Sequence, residues 1–426
     1  MQATSQALVA GGGIAGLSAA IVLAEQGFAT TLIEQTPQFV EVGAGLQIGP
    51  NAWRCLRAWG LERDVLAVSS LPHAMVAKNL HTGAVLGMLP LGLTAQQRYG
   101  APYATVLRAD LLHCLAQRAR QTERLTLRMA GQVQAIDSHA AGQAVSLRIA
   151  GADGVTQQLQ GELLLIADGA GGRLRQQTVL EAAQEPLSRS GYTAYRGIIR
   201  QSALPQCLRS QQVCAWLGKH LHAVVYPLRG SEWLNVVLIA NDAALAHSTR
   251  RGSADIQAVL ASIERHGALA KELKDTILAI EAHGMDTLGY RWTEWPLRIR
   301  KPVPSARALA AGRMALLGDA AHPMVPFLAQ GAAMAIEDAQ QLGQCLQGLQ
   351  ADAPAQAIPA ALAQWARLRA ARVAKVQKQA LRNGRIFHAQ GLVRHGRDAA
   401  LRLMGAYLMD KPWLFAGGPV PKSEQA

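Results

Sequence analysis

Three glycines, Gly11, Gly13 and Gly16, in the spacing G-x-G-x-x-G, restrict the start of this chain more than any other feature. They follow an apolar stretch, residues 6–10, that reads as a short buried strand, and they open residues 14–26, which read as a helix. Residues 30–34 read as the next strand, so the chain begins with a strand–helix–strand unit. The first glycine permits the tight turn, the second lets backbone approach a pyrophosphate, and the third lets helix pack on strand. The helix start then offers unpaired N–H groups and the positive end of its dipole to phosphate. Glu34 ends the second strand, in position to accept hydrogen bonds from ribose hydroxyls. A glycine-rich turn without a ligand is the bland alternative. The fingerprint alone does not separate a flavin dinucleotide from a nicotinamide one.

Residues 7–24 are apolar and nearly long enough to span a bilayer. Gly11, Gly12, Gly13 and Gly16 interrupt them and no Lys or Arg precedes them, so a buried strand–turn–helix is expected rather than a membrane span or leader. The five cysteines, Cys55, Cys114, Cys207, Cys214 and Cys345, form no C-x-x-C pair. They are expected as reduced thiols of a cytoplasmic protein, with no disulfide frame and no metal site. The 426 residues can bury a large core in two or three domains. A net charge of +13 attracts anions in general, from small carboxylic acids to nucleic acid and acidic lipids, without choosing among them.

Strand-like patterns dominate from Met75 to about Tyr103 and from about Pro186 to Leu288, for example at residues 222–226 and 233–239. They predict the antiparallel sheet of a second domain inserted into the first. After Gly331 the chain turns helical, over residues 332–350 and 359–382. The expected fold class is α/β. A Rossmann-like dinucleotide-binding domain takes residues 1–74, 104–185 and 289–354, an inserted antiparallel-sheet substrate domain takes 75–103 and 186–288, and a helical C-terminal region takes 355–426. That last region is basic from Arg367 to Arg402, through Arg369, Arg372, Lys375, Lys378, Arg382, Arg385, Arg394 and Arg397. Phe387 is its one noted aromatic and no nucleic-acid module accompanies it, so a solvated helix face or an oligomer contact, such as a homodimer's, is expected rather than nucleic acid. Docking on a membrane surface is the less favoured reading.

A second signature begins at residues 314–318, a short apolar strand that ends in Asp319, followed by a loop through Gln330 and a helix from Gly331. An acid there can bind ribityl hydroxyls, and the helix start favours the negative charge that builds on a reduced flavin ring. GRMALLGDAAHPMVPFLAQGAAMAIEDA (312–339) resembles the second flavin motif of the class A, single-component aromatic monooxygenases. VGAGLQIGPNA (42–52) resembles the loop those enzymes place beside the flavin ring, VLRADLL (106–112) their FAD-contacting arginine segment, and GYTAYRG (191–197) also fits. The likeness covers nearly the whole chain in the right order. The nearest group contains 3-hydroxybenzoate 6-hydroxylase, salicylate hydroxylase and 6-hydroxynicotinate 3-monooxygenase.

The resemblance implies FAD as cofactor and NADH or NADPH as a transient electron donor without its own domain, since no second fingerprint appears. The implied FAD contacts are Gly11, Gly13, Ala15, Gly16, Glu34 and Gln35 in the opening unit. Gly45, Leu46, Gln47, Arg108, Asp168, Asp319, Gly331 and Ala332 follow further along the chain. One departure stands out: after Asp168 and Gly169, Gly172 occupies a position where the family commonly has serine, and Ile166 one where it has glycine.

The implied reaction oxygenates an electron-rich ring of a small aromatic acid through a flavin 4a-hydroperoxide formed with O₂. A base near the phenol would activate the ring, and a dry site would keep the peroxide from escaping. His222 and Tyr226 are four residues apart, so on a strand they share a face. The resemblance makes His222 the base, with Tyr226 beside it; a structural His–Tyr pair on a sheet is the alternative. His322 either caps its loop or takes part in catalysis. Pro323 and Pro326 belong to the substrate loop, and Pro326 stands where the 3-hydroxybenzoate enzymes carry a polar residue. Gln47 either contacts ligand or closes a turn, and His220 lies on the His222 face or in the preceding turn. Cys214 is expected as a buried thiol. The competing functions are a membrane-associated quinone-pathway or epoxidase-type flavin monooxygenase and a non-catalytic carrier on the same fold.

Overall fold

The computed structural model describes residues 6–39, 45–137, 144–151, 154–181, 183–245, 255–284, 291–349 and 356–420. The opening strand Gln6–Ala10 is the centre of a six-stranded sheet. It pairs in parallel with Ala29–Ile33 on one side and Leu163–Ile166 on the other. Leu125–Arg128 and Met314–Leu316 extend the parallel array, and Ala310–Ala311 closes one edge antiparallel. Such strands, covered on both faces, read as unbroken apolar runs, which is the pattern of residues 7–10 and 163–166, all buried. The helix Ile14–Glu25 packs between this sheet and the helix Gly331–Leu346.

Seven strands form the second large sheet, in the order Thr293–Ile299, Ser188–Arg200, Trp233–Asn241, Leu221–Leu228, Val213–Leu217, Ala74–Asn79, Val85–Pro90. All neighbours are antiparallel except Val213–Leu217 and Ala74–Asn79. Thr293–Ile299 pairs with Ser188–Arg200, so these residues join the second sheet rather than the dinucleotide-binding segment 289–354 expected to hold them. Residues 255–284, expected as strand-rich, instead form the helices Ile256–Glu264 and Lys271–His283. Their apolar sides pack on one face of the sheet, with Leu221, Ala223, Val225, Val236 and Leu238. The alternation then commits His222, Val224 and Tyr226 to the other face.

The C-terminal region wraps back over that other face. Ala357–Phe387 is one helix of 31 residues, longer at both ends than the expected 359–382. Ala380 and Phe387 on it meet Ala194, Ile239, Val325 and Phe327 in a separate apolar cluster. Gly391–Met409 follows and lies along Val85–Pro90. Among the described residues no helix is long and apolar enough to cross a membrane.

Candidate active site

The dinucleotide end is built from backbone. Gly11 has φ +106°, and a Cβ on it would overlap the Ala167 carbonyl oxygen at the end of the third parallel strand. A Cβ on Gly16 would overlap the carbonyl of Gly11 itself, so the turn and the helix touch through two missing side chains. Gly13 faces open space, and the helix that starts beside it has neither a side-chain cap nor an acid in its first turn. Its free N–H groups therefore suit a pyrophosphate. Glu34 accepts hydrogen bonds from the Gly12 N–H at 2.6 Å and from the Thr36 N–H and hydroxyl. A cleft of about 930 Å³ runs from Gly11, Gly13, Glu34 and Gln35 to Asp168 and Leu174.

Asp168 is held by the Leu174 N–H at one carboxylate oxygen, while the other is buried without a partner. Burial raises its pKa against the pull of the Leu174, Asp168 and Arg173 N–H groups and of Arg300. The departure at Gly172 has a steric reason: a Cβ there would overlap the Asp168 carboxyl. Serine at 172 requires a different placement of the acid, so glycine and this Asp168 rotamer go together. Behind the loop, Arg175 donates to the carbonyls of Ala320 and Ala321, joining it to the second flavin motif. Burial, with Arg300 nearby, pulls the Arg175 pKa down to about 10.

The ring end is built from side chains. Gly45–Ile48 pairs with Ala104–Leu107, which sets Gly45 opposite Leu107, next to the start of the Arg108–Gln121 helix, and Leu46 and Gln47 opposite Val106 and Thr105. Gln47 accepts a 2.6 Å hydrogen bond from the Tyr103 hydroxyl. The Gly45 N–H donates to Asn235 Oδ1, and a Cβ on Gly45 would stand 2.6 Å from the Tyr226 ring. Residues 42–44 of the same motif lie outside the described residues. Beyond Met314–Leu316 the chain leaves the strand two residues earlier than expected, and Asp319 sits exposed in a short 3₁₀ turn. Gly331 and Ala332 begin the next helix, which also has no side-chain cap and no acid in its first turn.

A buried ionic cluster anchors that helix. Asp338 accepts from His322 Nε2 at 2.6 Å, from the Gly318 N–H at 3.1 Å and from Arg369 Nε at 2.9 Å. Burial alone would raise the Asp338 carboxyl, but the His322 ring and the Arg369 guanidinium outweigh it and hold its pKa at about 2. Glu337 pairs with Arg369 at 2.8 Å and Arg372 at 2.6 Å and accepts from Asn51 Nδ2, which also reaches Gln330. His322 is thus a fixed loop anchor. Arg369, 1% exposed, and Arg372 are not on a solvated face, which corrects that part of the expectation for the basic stretch. Arg397 is buried as well, against Asp398. Arg367, Lys375, Lys378 and Arg382 do line an open groove.

His222 and Tyr226 are both buried on the sheet face turned toward these loops. Tyr226 lies at Gly45, while His222 meets Phe327 and Phe387 edge-on and pairs its Nδ1 with His388 Nε2 at 2.9 Å. Burial, and then His388, lowers the His222 pKa well below the usual value. Its Nε2 is buried without a partner. Burial raises the Tyr226 phenol, so it stays protonated. Pro323 is buried and its carbonyl accepts from Gln377, whereas Pro326 is exposed. His220 lies in the turn before the strand and packs on His266, and Cys214 faces the opposite apolar cluster. Sequence reasoning missed Asn51, Arg196, Asn235 and His388. Asn51 and Arg196 lie inside quoted motifs and could have been found there; Asn235 and His388 carry no local signal.

Comparison with known proteins agrees with this architecture. The model of the FAD binding domain family matches residues 4–380. The chain belongs to the FAD-dependent aromatic monooxygenases. It is 33% identical over 400 residues to a 3-hydroxybenzoate 6-hydroxylase of Polaromonas naphthalenivorans, covering 92% of this chain and 90% of that one. It is 28% identical over 380 residues to a 6-hydroxynicotinate 3-monooxygenase of Pseudomonas fluorescens, covering 89% and 91%. A salicylate hydroxylase substrate complex superposes with a TM-score of 0.76 at 21% identity, over 98% of this chain and 97% of that one, which speaks for the fold. FAD is the cofactor of this monooxygenase, and the open Gly13 cradle, the two uncapped helix starts and the unpartnered Asp168 oxygen fit it.

Proposed function

We propose that this monooxygenase hydroxylates a small aromatic acid of hydroxybenzoate or hydroxypyridine-carboxylate type, taking electrons from NADH or NADPH and oxygen from O₂. One observation carries the reading. His222 and Tyr226 share the sheet face that meets the Gly45 strand and the Phe327 loop, and the buried His222 Nε2 has no protein partner. Bound FAD, reduced by the nicotinamide, supplies oxygen activation. The chain's own residues hold and prepare the ring. Neutral His222 accepts the phenolic proton at Nε2, raising electron density on the ring carbon to be attacked. Tyr226, kept protonated by burial, donates a hydrogen bond to the same substrate. Arg196, which strand register places on the same face across Val237 from Val224, provides a cation for the substrate carboxylate. Phe327 and Phe387 exclude water from the His222 side.

The test compares wild type with His222→Ala, both loaded with FAD, against 3-hydroxybenzoate, salicylate, 3-amino-4-hydroxybenzoate and 6-hydroxynicotinate. Hydroxylated product is expected from at least one compound, with product per NAD(P)H lost in the variant and its rate down roughly 100-fold. Unchanged coupling in His222→Ala would remove His222 from the chemistry. Only H₂O₂ from every compound would require another substrate class.

A further inference from the structure

Two buried histidines from distant parts of the chain touch through ring nitrogens. His222 comes from the strand Leu221–Leu228 and His388 caps the end of the helix Ala357–Phe387. His222 Nδ1 and His388 Nε2 are 2.9 Å apart. Each ring has its other nitrogen, His222 Nε2 and His388 Nδ1, buried without a partner. An unsatisfied buried ring nitrogen costs stability, and here two stand at opposite ends of one hydrogen-bonded pair. Tyr192 stacks on His388 at 5.0 Å and 26°, which fixes its plane. Substrate is expected at the His222 end. The His388 end lies at the helix terminus, where the chain turns toward Gly391–Met409.

We propose that His388 is a positioning residue that completes a two-histidine proton relay, setting His222 in the Nδ1–H tautomer and carrying the substrate's phenolic proton out of the site. This rests on the reading that a phenol binds at His222 Nε2. The phenolic O–H breaks and its proton bonds to His222 Nε2. The Nδ1–H of His222 passes its proton to His388 Nε2, and His388 Nδ1 gives one to a solvent water that enters at the edge of this residue, 8% exposed, and carries it away as hydronium. Three protons each move one step, one leaves for each phenolate formed, and no electrons change hands.

The groups around His388 favour release. Arg397 holds the carbonyls of Ile386 and Phe387, the last of the helix, and its charge acts on His388. His220 faces His266 and stands next to Lys219. Asp398 is already engaged by Arg397, and Tyr192 is uncharged. Burial comes first among the causes that bring the His388 pKa to about 4, with His220 and Arg397 adding to it. A proton arriving on His388 is therefore handed on rather than kept. The fully buried His222 has no other ring nitrogen within reach among the described residues.

The test uses FAD-loaded enzyme mixed rapidly with 3-hydroxybenzoate and, separately, 6-hydroxynicotinate in weakly buffered solution containing a pH indicator. Wild type is expected to release one proton on binding. His388→Ala and His388→Gln should keep their FAD and their affinity for the acid but release the proton roughly 100-fold more slowly. Added imidazole should restore the rate in His388→Ala, which a merely structural role would not allow. Proton release and hydroxylation that are unchanged in both variants overturn the relay. Nitrogen NMR of ¹⁵N-histidine-labelled wild type gives a reading independent of variant folding: His222 protonated at Nε2 in the free holoenzyme also overturns it. His222→Ala run in parallel separates the two ideas. If it still hydroxylates with full coupling, the underlying role of His222 fails; if it fails while the His388 variants behave as wild type, only the relay fails.

Discussion

The two ends of the flavin site are made in opposite ways. At the dinucleotide end, Gly11, Gly13 and Gly16 work by what they lack, and the contacts join residues close in sequence or adjacent in one sheet. At the ring end, Asn51, Tyr226, Asn235, His322, Glu337, Asp338 and Arg369 work by what they carry, and hydrogen bonds cross up to 286 positions of sequence. Gly11 and Gly16 at the first end leave no room for an added side chain, whereas the buried polar groups of the second end depend on keeping their partners. That contrast can be broken by experiment.

The largest effect is expected from adding bulk at the first end. Gly16→Val places side-chain atoms on the Gly11 carbonyl, so the purified protein should be colourless and take up no FAD on titration. Yellow protein with bound FAD would mean that the turn can rearrange. Next comes removing charge at the second end. Arg369→Ala leaves Glu337 without one of its partners and Asp338 without its guanidinium in a fully buried place. A loss of about 3–5 kcal/mol in denaturant unfolding of the holoprotein is expected. Arg57→Ala, at the half-exposed pair with Glu62, should cost less than about 1 kcal/mol. Equal losses in the two would contradict the importance given to the cluster.

A smaller effect sharpens the boundary between the ends. Gly172→Ser should displace the Asp168 carboxyl and weaken FAD binding by about tenfold, equivalent to about 1.4 kcal/mol, while leaving the fold intact. Isothermal titration of FAD into apoprotein reads this directly.

The smallest is a pH dependence. His388 titrates near 4 in the folded protein, against about 6.5 in an unfolded chain. The unfolded state therefore binds the proton first, and stability should decline as pH falls from about 6.5 through 4. His388→Phe should flatten that part of the stability curve. Asp338, held at about 2, acts in the opposite sense to a raised carboxyl. Its contribution is complete above the unfolded value near 3.9 and is lost as pH falls toward 2.

Much of the first end was legible because its physics is local. A strand, a turn and a helix of fixed geometry need glycine at set spacings, and residues 6–34 differ from the expectation only by a residue at element ends. The second flavin motif was legible through resemblance, although its strand is shorter than expected. Residues 255–284 were misjudged as strand-rich because short apolar stretches such as 256–263 suit either a buried strand or a helix, and only packing on the sheet decides. The basic stretch was misjudged because charge alone does not say which arginines meet acids. Arg369 and Arg372 lie one helical turn apart on the side facing Glu337, and nothing local marks that side.

The sequence by itself determined the dinucleotide cradle, the parallel sheet around Gln6–Ala10 and the sharing of one strand face by His222 and Tyr226, because turn sterics and the two-residue period of a strand act over a few residues. Tertiary structure alone decided what that face meets. The Gly45 strand brought Tyr226 its neighbour, the return of the Ala357–Phe387 helix brought His222 its partner His388, and the burial of Glu337 and Asp338 required Arg369. Those encounters depend on the free energy of burying charge and apolar surface across the whole chain, which no local spacing records.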